Sequence, residues 1–350
     1  MADQPEGKKP RVFSGIQPTG RKTLGNYSGG FRQYVQTQEA GDAFFCIVDL
    51  HSISVEYDPL ELRSSTLDLA AMLFAVGLDE ERSTVFCQSH VTAHAEAAWL
   101  LSAVASYGQL GRMTQFKEKS DRHEFVSAAL FTYPVLMAGD ILLYQTDLVP
   151  IGDDQRQHLE LARDIAQRFN FRFGETFKIP EGQFPQVGGR IMDLQEPESK
   201  MSTTLSTEQG AVYVTDSPDT IRKKFKSAVT DSAREVRYDP AEKPGVSNLL
   251  EVMSVATGDN VDELMLRFAD AGYGDFKEAV GESVVELLTP IRERFEALRG
   301  DERRLQHMLA MGAEKARRTS EPTLEQMYDR MGFAKPEAGR FFGAARPRGI

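Results

Sequence analysis

The sequence predicts an α/β protein in which a parallel sheet, covered by helices on both faces, is followed by a purely helical C-terminal part. Three observations carry that expectation. Short apolar runs alternate with helical stretches through the first third of the chain. The first run breaks at Gln17-Pro-Thr-Gly20 and re-enters a helical pattern after Gly25; strand, tight turn and helix are the outline of a phosphate site. From Gly210 to Phe333 the pattern is helical with polar connections, and the chain shows no internal repeats. At 350 residues it holds one large or two ordinary domains with a true core.

Taken in order, residues 1–10 are polar, lack the apolar core of a signal peptide and read as a loose tail. Val12, Phe13 and Ile16 suit a buried strand that Pro18 and Gly20 end, and Gly29-Gly-Phe-Arg-Gln-Tyr-Val35 begins a helix. Gly25, without a side chain near that helix start, lets a nucleotide approach the backbone closely. Residues 43–49 form the second strand. A helix follows over 59–74, with Asp58 as cap and Pro59 at its first position, and residues 83–88 form the third strand. Ligands of such sheets sit at the carboxyl ends of the strands, where Asp49, His51, Gln88 and Ser89 fall. His51 is there either a site residue or a histidine capping a loop.

Cys87, His90 and His94 have a spacing that a metal could use, but no further thiol or carboxylate nearby completes a four-ligand set, so no metal site is expected. Residues 94–104 read as an amphipathic helix in which Trp99, the only tryptophan, is packed. Residues 106–172 are mainly helical. Tyr133, Met137 and Asp140, spaced i, i+4, i+7, share one face of a helix that starts near the Thr132-Tyr-Pro134 turn. A carboxylate there is costly to bury alone, and Asp140 either meets a ligand, pairs with a lysine or caps a neighbouring segment. Residues 149–169 give a strand-like entry, a hinge at Gly152 and a long amphipathic helix; Asp153 and Asp154 in its first turn suit the helix dipole.

Hydrophobic residues at 41% and charged residues at 27% are ordinary for a globular chain, and no apolar run is long enough to span a bilayer. A net charge of −11 argues against a protein that coats nucleic acid nonspecifically. Basic clusters at 222–226, 315–318 and 340–348 leave a specific RNA partner open, and are equally read as solvated faces. Cys46 and Cys87 lie in apolar strand-like runs and read as buried free thiols.

Thr23-Leu-Gly-Asn26 and Lys200-Met-Ser-Thr-Thr204, the latter at the end of the stretch 190–204, resemble the paired signature motifs of the class I aminoacyl-tRNA synthetases: the HIGH region and the KMSKS loop. With Gly15-Ile-Gln-Pro18 ahead of it, the first is similar to the bacterial tryptophan-specific branch. Asp49-Leu-His-Ser52, the stretch 133–144, and 219–232, 245–253 and 312–318 continue the likeness across nearly the whole chain. The resemblance implies a Rossmann-like catalytic domain over 11–205, with a helical insertion at 106–172 that holds the amino-acid pocket and the dimer interface. It further implies a helical anticodon-binding domain over 206–335, a disordered basic tail over 336–350, and a cytoplasmic homodimer.

The chemistry so implied joins L-tryptophan to tRNA(Trp): the amino-acid carboxylate attacks the α-phosphate of ATP, pyrophosphate leaves, and the adenylate passes to the terminal adenosine. Two anions must meet, so the work is positioning and charge neutralisation, with Mg2+ sharing the load. By resemblance Lys200, Lys119, Asn26, Gln17 and Thr23 carry that step, Lys119 lying near the terminal phosphates, with Lys117 beside it in sequence. Gln17, Pro18, Thr19, Gly25 and Asn26 in the first motif, Gly152, Asp153 and Asp154 at the hinge, and Ile191 with Lys200, Met201, Ser202, Thr203 and Thr204 in the second face ATP. Tyr133, Met137, Asp140, Gln155 and His51 face tryptophan. A lone acceptor between soft and aromatic walls suits an indole N–H, and an amino acid without that donor leaves Asp140 unpaired.

Two departures from the class pattern stand out. Thr23 and Asn26 replace imidazoles, which keeps neutral donors, as is usual in the tryptophan branch. Thr203 stands where the family generally has a second lysine, and one cation fewer beside the leaving pyrophosphate costs on the order of 1–3 kcal/mol. The sequence leaves three readings: an active tryptophan enzyme, a tyrosine enzyme, or an altered RNA-binding, regulatory or inhibitor-resistant paralogue.

Overall fold

The computed structural model describes residues 9–120, 125–152, 155–183, 190–203 and 206–334. Five strands make one sheet: β1 (Arg11–Ile16), β2 (Asp42–Ile47), β3 (Thr84–Cys87), β4 (Leu148–Pro150) and β5 (Glu181–Gln183). Their order is β3-β2-β1-β4-β5 and every neighbouring pair is parallel. The chain winds outward from β1 through β2 to β3, then returns to the other side of β1 to add β4 and β5. That reversal places a crevice beyond the carboxyl ends of β1 and β4, where doubly wound sheets bind ligands.

The period of two along β2 divides the core. Phe45 and Ile47 join a cluster with the helix Pro59–Ala75, whereas Phe44 and Cys46 join one with the helices Ala93–Ser102, Ala128–Leu142 and Arg156–Phe173. Cys46 and Cys87 lie in different clusters, and both are free and buried.

After residue 210 the chain is helical as expected: Pro218–Lys226, Pro244–Thr257, Val261–Arg267, Tyr273–Gly300 and Glu302–Met331. The core does not stop at the expected 205/206 boundary. Phe225, Leu249, Val280 and Leu309 pack in the same cluster as Ile16, Phe45 and Ile47. The last helix lies on β3, where a Cβ on Gly312 would come 1.8 Å from the carbonyl oxygen of Val85, so only glycine permits the approach. Among the described residues, no helix is long and apolar enough to cross a membrane.

Several local expectations shift. The helix expected from Gly29 begins earlier, at Leu24. Thr23 caps it, Gly29 and Gly30 lie in a wide turn over Tyr27–Phe31, and regular helix resumes over Arg32–Ala40. The helix placed near Thr132 starts at Ala128, because Ser127 accepts from the Leu130 N–H; Pro134 therefore lies inside it. β4 is the strand-like entry expected at residue 149, and the polar three-residue β5 joins by backbone pairing alone. Trp99 does not pack. Its helix turns His94, Ala97, Leu100 and Leu101 inward and leaves the indole 80% exposed.

Candidate active site

At the crevice lies a cavity of about 1170 Å³. Gln17 from the β1 turn, His51 after β2, Tyr133, Met137 and Asp140 from Ala128–Leu142, and Gly152 and Gln155 after β4 all line it. The helix spacing thus brings Tyr133, Met137 and Asp140 to one wall, as its period requires.

Asp140 is 2% exposed and ringed by donors. His94 Nδ1 and Gln88 Nε2 reach Oδ1 at 2.6 and 2.7 Å, and His51 Nε2 reaches Oδ2 at 2.8 Å. Burial alone would raise this carboxyl, but the hydrogen bonds from His51 and His94 outweigh it and hold the group well below the usual carboxylate range. A permanently ionised acceptor therefore sits in the cavity wall. Oδ1 holds two donors and Oδ2 one, so Oδ2 keeps acceptor capacity. Among the described residues no lysine pairs with Asp140; the partners are imidazoles and an amide. His51 lines the cavity, and its ring braces the Asp140 carboxylate rather than capping a loop.

Above Asp140 stands Tyr133. Its hydroxyl lies 2.6 Å from His158 Nε2 and 3.3 Å from Gln115 Oε1, and burial pushes its pKa up to about 12, so it remains an O–H donor.

Beside the cavity the two motif loops meet. Thr23 and Asn26 form a capping box: the Asn26 N–H donates to Thr23 Oγ1 at 3.3 Å and the Thr23 N–H to Asn26 Oδ1 at 2.9 Å. Thr203 Oγ1 donates to the same Oδ1 at 3.2 Å, and a Cβ on Gly25 would sit 3.3 Å from the Met201 carbonyl. Lys22 Nζ folds back over the Thr19 and Gln17 carbonyls at 2.6 and 3.2 Å, and burial lowers its pKa to about 8. Gln17 belongs to both regions: it lines the cavity, and its carbonyl holds Lys22.

The second loop is pinned from below. Ile191 and Met201 are buried in the core, and the Met201 N–H donates to the Ile191 carbonyl at 3.1 Å. Asn248 brackets Met192 with two hydrogen bonds of 2.8 and 2.9 Å, in the manner of a strand partner. Lys200 pairs with Met192 and leaves its side chain exposed. Arg21 joins Asp216 at 2.8 Å and stacks 3.9 Å over Tyr213, which ties the first turn to the segment that follows the loop.

The residues 5–289 match the family described as "tRNA synthetases class I (W and Y)". The chain belongs to that family. It is 50% identical to the tryptophan–tRNA ligase of Caldanaerobacter subterraneus subsp. tengcongensis, over 92% of this chain and 98% of the relative. It is also 50% identical to "Tryptophan--tRNA ligase 2" of Streptomyces avermitilis, over 93% and 97%. The tryptophanyl-tRNA synthetase of Campylobacter jejuni, solved with ADP and tryptophan, superposes with a TM-score of 0.82 at 33% identity, covering 92% of this chain and all of that one. That from Mycoplasma pneumoniae gives 0.80 at 36% identity, over 93% and 98%. The fold is the Rossmann-like α/β fold of these synthetases.

Within this synthetase the expected residues fall into three groups. Gln17, His51, Tyr133, Met137, Asp140, Gly152 and Gln155 share the cavity. Thr19, Gly25, Asn26, Lys200, Ser202 and Thr203 lie in the paired loops, outside the cavity lining. Thr23, Pro18, Ile191 and Met201 are buried beneath them and act as supports; the Thr23 hydroxyl is spent on the cap. Asp153, Asp154 and Thr204 lie outside the described residues, as does the side chain of Lys119, whose backbone is in the helix Thr114–Ser120.

Sequence reasoning missed His158, Gln115 and Arg156 of the cavity wall, and Asn248. It weighed His94 only as a metal ligand. The structure turns His94 inward to Asp140 and Tyr144, leaves His90 exposed, and buries Cys87 in β3. Gln88 was flagged by its strand end alone; it joins Asp140 to the Leu50 N–H. Asp49 braces a loop, accepting from the Leu50 and Ser89 N–H groups at 3.1 and 2.9 Å.

Proposed function

We infer that this synthetase is a tryptophan–tRNA ligase, which activates L-tryptophan with ATP as tryptophanyl-adenylate and transfers it to tRNA(Trp), releasing pyrophosphate and AMP. The observation that carries the reading is the buried, ionised Asp140 in the cavity wall beside Tyr133 and Met137, in a chain half identical to curated tryptophan–tRNA ligases. The ADP and tryptophan of the Campylobacter jejuni structure support the same pair of substrates.

The indole N–H donates to Asp140 Oδ2, and the ring lies against Met137 and Tyr133. Phenylalanine brings no donor and tyrosine carries its O–H at a different place from the indole N–H, so the remaining acceptor capacity of Oδ2 goes unfilled and the wrong amino acid is rejected. Gln155 takes the amino end, and the reacting carboxylate points toward Gln17. ATP lies over Gly25, whose missing side chain leaves the backbone open beside Met201, and against Gly152. Asn26 uses its side-chain oxygen on Thr23 and Thr203, so its amide nitrogen is what remains to donate to phosphate. Lys200, from the facing loop, and Lys119 neutralise the leaving pyrophosphate.

Among the described residues no three His, Cys, Asp or Glu side chains converge on a metal position. Mg2+ accompanies the phosphates of ATP and shares the neutralisation of their charge. The helical part after residue 205 takes the anticodon. The insertion 106–172 forms the contact of a homodimer, for which exposed Tyr107, Phe125 and Phe171 supply apolar surface. The compartment that fits is the cytoplasm, where tRNA is charged.

ATP–pyrophosphate exchange measured with tryptophan and with tyrosine tests the reading. Exchange with tryptophan alone is expected. Exchange driven by tyrosine would reassign the substrate, and none with either would mark a silent paralogue.

A further inference from the structure

Arg21 and Lys22 are neighbours in the first motif turn, and their charges are balanced differently. Arg21 meets Asp216 at 2.8 Å and Glu208 at 3.2 Å, and Lys224 behind them is matched by the same Asp216 at 2.8 Å. Among the described residues no carboxylate pairs with Lys22. Its half-buried ammonium rests on two neutral acceptors, the Thr19 and Gln17 carbonyls, and burial lowers its pKa with no anion beside it to oppose the fall. A cation partly withdrawn from water costs free energy when nothing negative stands against it. The counter-ion that fits is a ligand.

The position of Lys22 selects the ligand. Its backbone is fixed against the segment after the second loop: its carbonyl accepts from the Val214 N–H at 2.9 Å, and the Leu24 N–H donates to the Val212 carbonyl at 2.7 Å. Gly20, at a φ of +57°, lies so close to Thr203 that a Cβ there would run into the Thr203 methyl group. The turn that carries Lys22 is therefore the surface on which Thr203 rests, and one of the two carbonyls under the ammonium belongs to Gln17, a residue of the cavity wall. Two of the three N–H groups of the ammonium go to those carbonyls, and the third is open to an anion.

We propose that Lys22 is a catalytic residue of adenylate formation: its ammonium binds the terminal phosphates of ATP and supplies, from the turn, positive charge that Thr203 does not bring from the loop. The proposal rests on the reading of the paired loops as the ATP site. In that step a tryptophan carboxylate oxygen bonds to the α-phosphorus while the bond from that phosphorus to the bridging oxygen breaks. The electron pair leaves with pyrophosphate, and no proton changes hands. Lys22 meets the charge that grows on the leaving group. The two carbonyls hold the ammonium in place beforehand, so little side-chain freedom is lost when the nucleotide binds.

The test is pyrophosphate exchange on the full chain, with folding checked by thermal unfolding. Lys22→Gln keeps an amide that donates to the turn carbonyls and removes only the charge. It is expected to lower kcat/KM for ATP by about tenfold and to leave KM for tryptophan unchanged. Lys22→Met, close to lysine in shape, gives the same loss and keeps the proposal testable if Lys22→Gln fails to fold. Thr203→Lys brings a cation to the other side of the same phosphates, so it should gain about thirtyfold in the Lys22→Gln background against about tenfold in the native chain. A native kcat/KM for ATP in Lys22→Gln with a slow Lys22→Met would mark Lys22 as a brace of the turn and overturn the assignment. So would an equal gain from Thr203→Lys in both backgrounds, or an equal rise of KM for tryptophan and for ATP in Lys22→Gln. Lys200→Gln separates the two levels. If it lowers kcat/KM for ATP while Lys22→Gln does not, Lys22 alone is excluded; if neither does, the paired loops do not hold ATP and that reading falls as well.

Discussion

The hydroxyl of Thr203 donates to Oδ1 of Asn26 across 3.2 Å, so the loop after β5 and the turn after β1 touch through two neutral side chains. Both contribute to holding the nucleotide in the proposed reaction, and neither brings charge to the leaving pyrophosphate.

Thr203→Lys is expected to accelerate pyrophosphate exchange by about tenfold, within the 1–3 kcal/mol that one added charge-assisted contact supplies. The check is kcat at saturating tryptophan and ATP. An unchanged kcat would show that the missing cation is irrelevant or already replaced.

Lys22 lies in the turn that leads to Asn26, held by the carbonyls of Thr19 and Gln17. Because burial brings its pKa down to about 8, it is charged at neutral pH and loses its charge as pH rises through that value. KM for ATP should stay level up to about pH 8 and climb above it, and Lys22→Met should raise KM at pH 7 and flatten the climb. Identical pH profiles in the two proteins would remove Lys22 from nucleotide binding.

Asp140 contributes to stability with a definite sign. Its carboxyl is held below the unfolded value of 3.8, so the unfolded chain binds the proton more readily. The contribution is full above that value and is lost as pH falls below it. Denaturant unfolding of the native protein and of Asp140→Asn should show a stability gap that is constant from about pH 5 to 7 and narrows toward pH 3. A gap that widens in acid contradicts an ionised Asp140.

Gly312→Ala drives a Cβ into the Val85 carbonyl of β3, and the backbone of a long helix must move to accommodate it. A loss of about 2–4 kcal/mol in unfolding free energy is expected. A change under about 0.5 kcal/mol would mean that the helix rests on the sheet less tightly than described.

Most of the catalytic layer was legible because its signals are local. Residues 43–49 and 83–88 announce buried strands, Asp58-Pro59 announces a helix start, and the spacing of Tyr133, Met137 and Asp140 places them on one wall. What stayed hidden depends on contacts between distant segments. β5 has neither apolar residues nor length and exists by pairing with β4. His94 carries no sign in its own stretch that Asp140 and Tyr144 will close around it. Trp99 has the composition of a core residue, and only the neighbours that the helix turns inward decide that it faces out. The 205/206 boundary is what the family resemblance implies, and hydrophobic burial continues across it.

The exposure of Trp99 has a practical side. The chain contains a single tryptophan of its own, and that indole stands in water. A substrate tryptophan enclosed beside Asp140 is shielded by the cavity walls. Iodide, which collides only with accessible rings, would therefore dim the emission of Trp99 and spare that of the bound amino acid, letting occupancy of the pocket be followed by light alone.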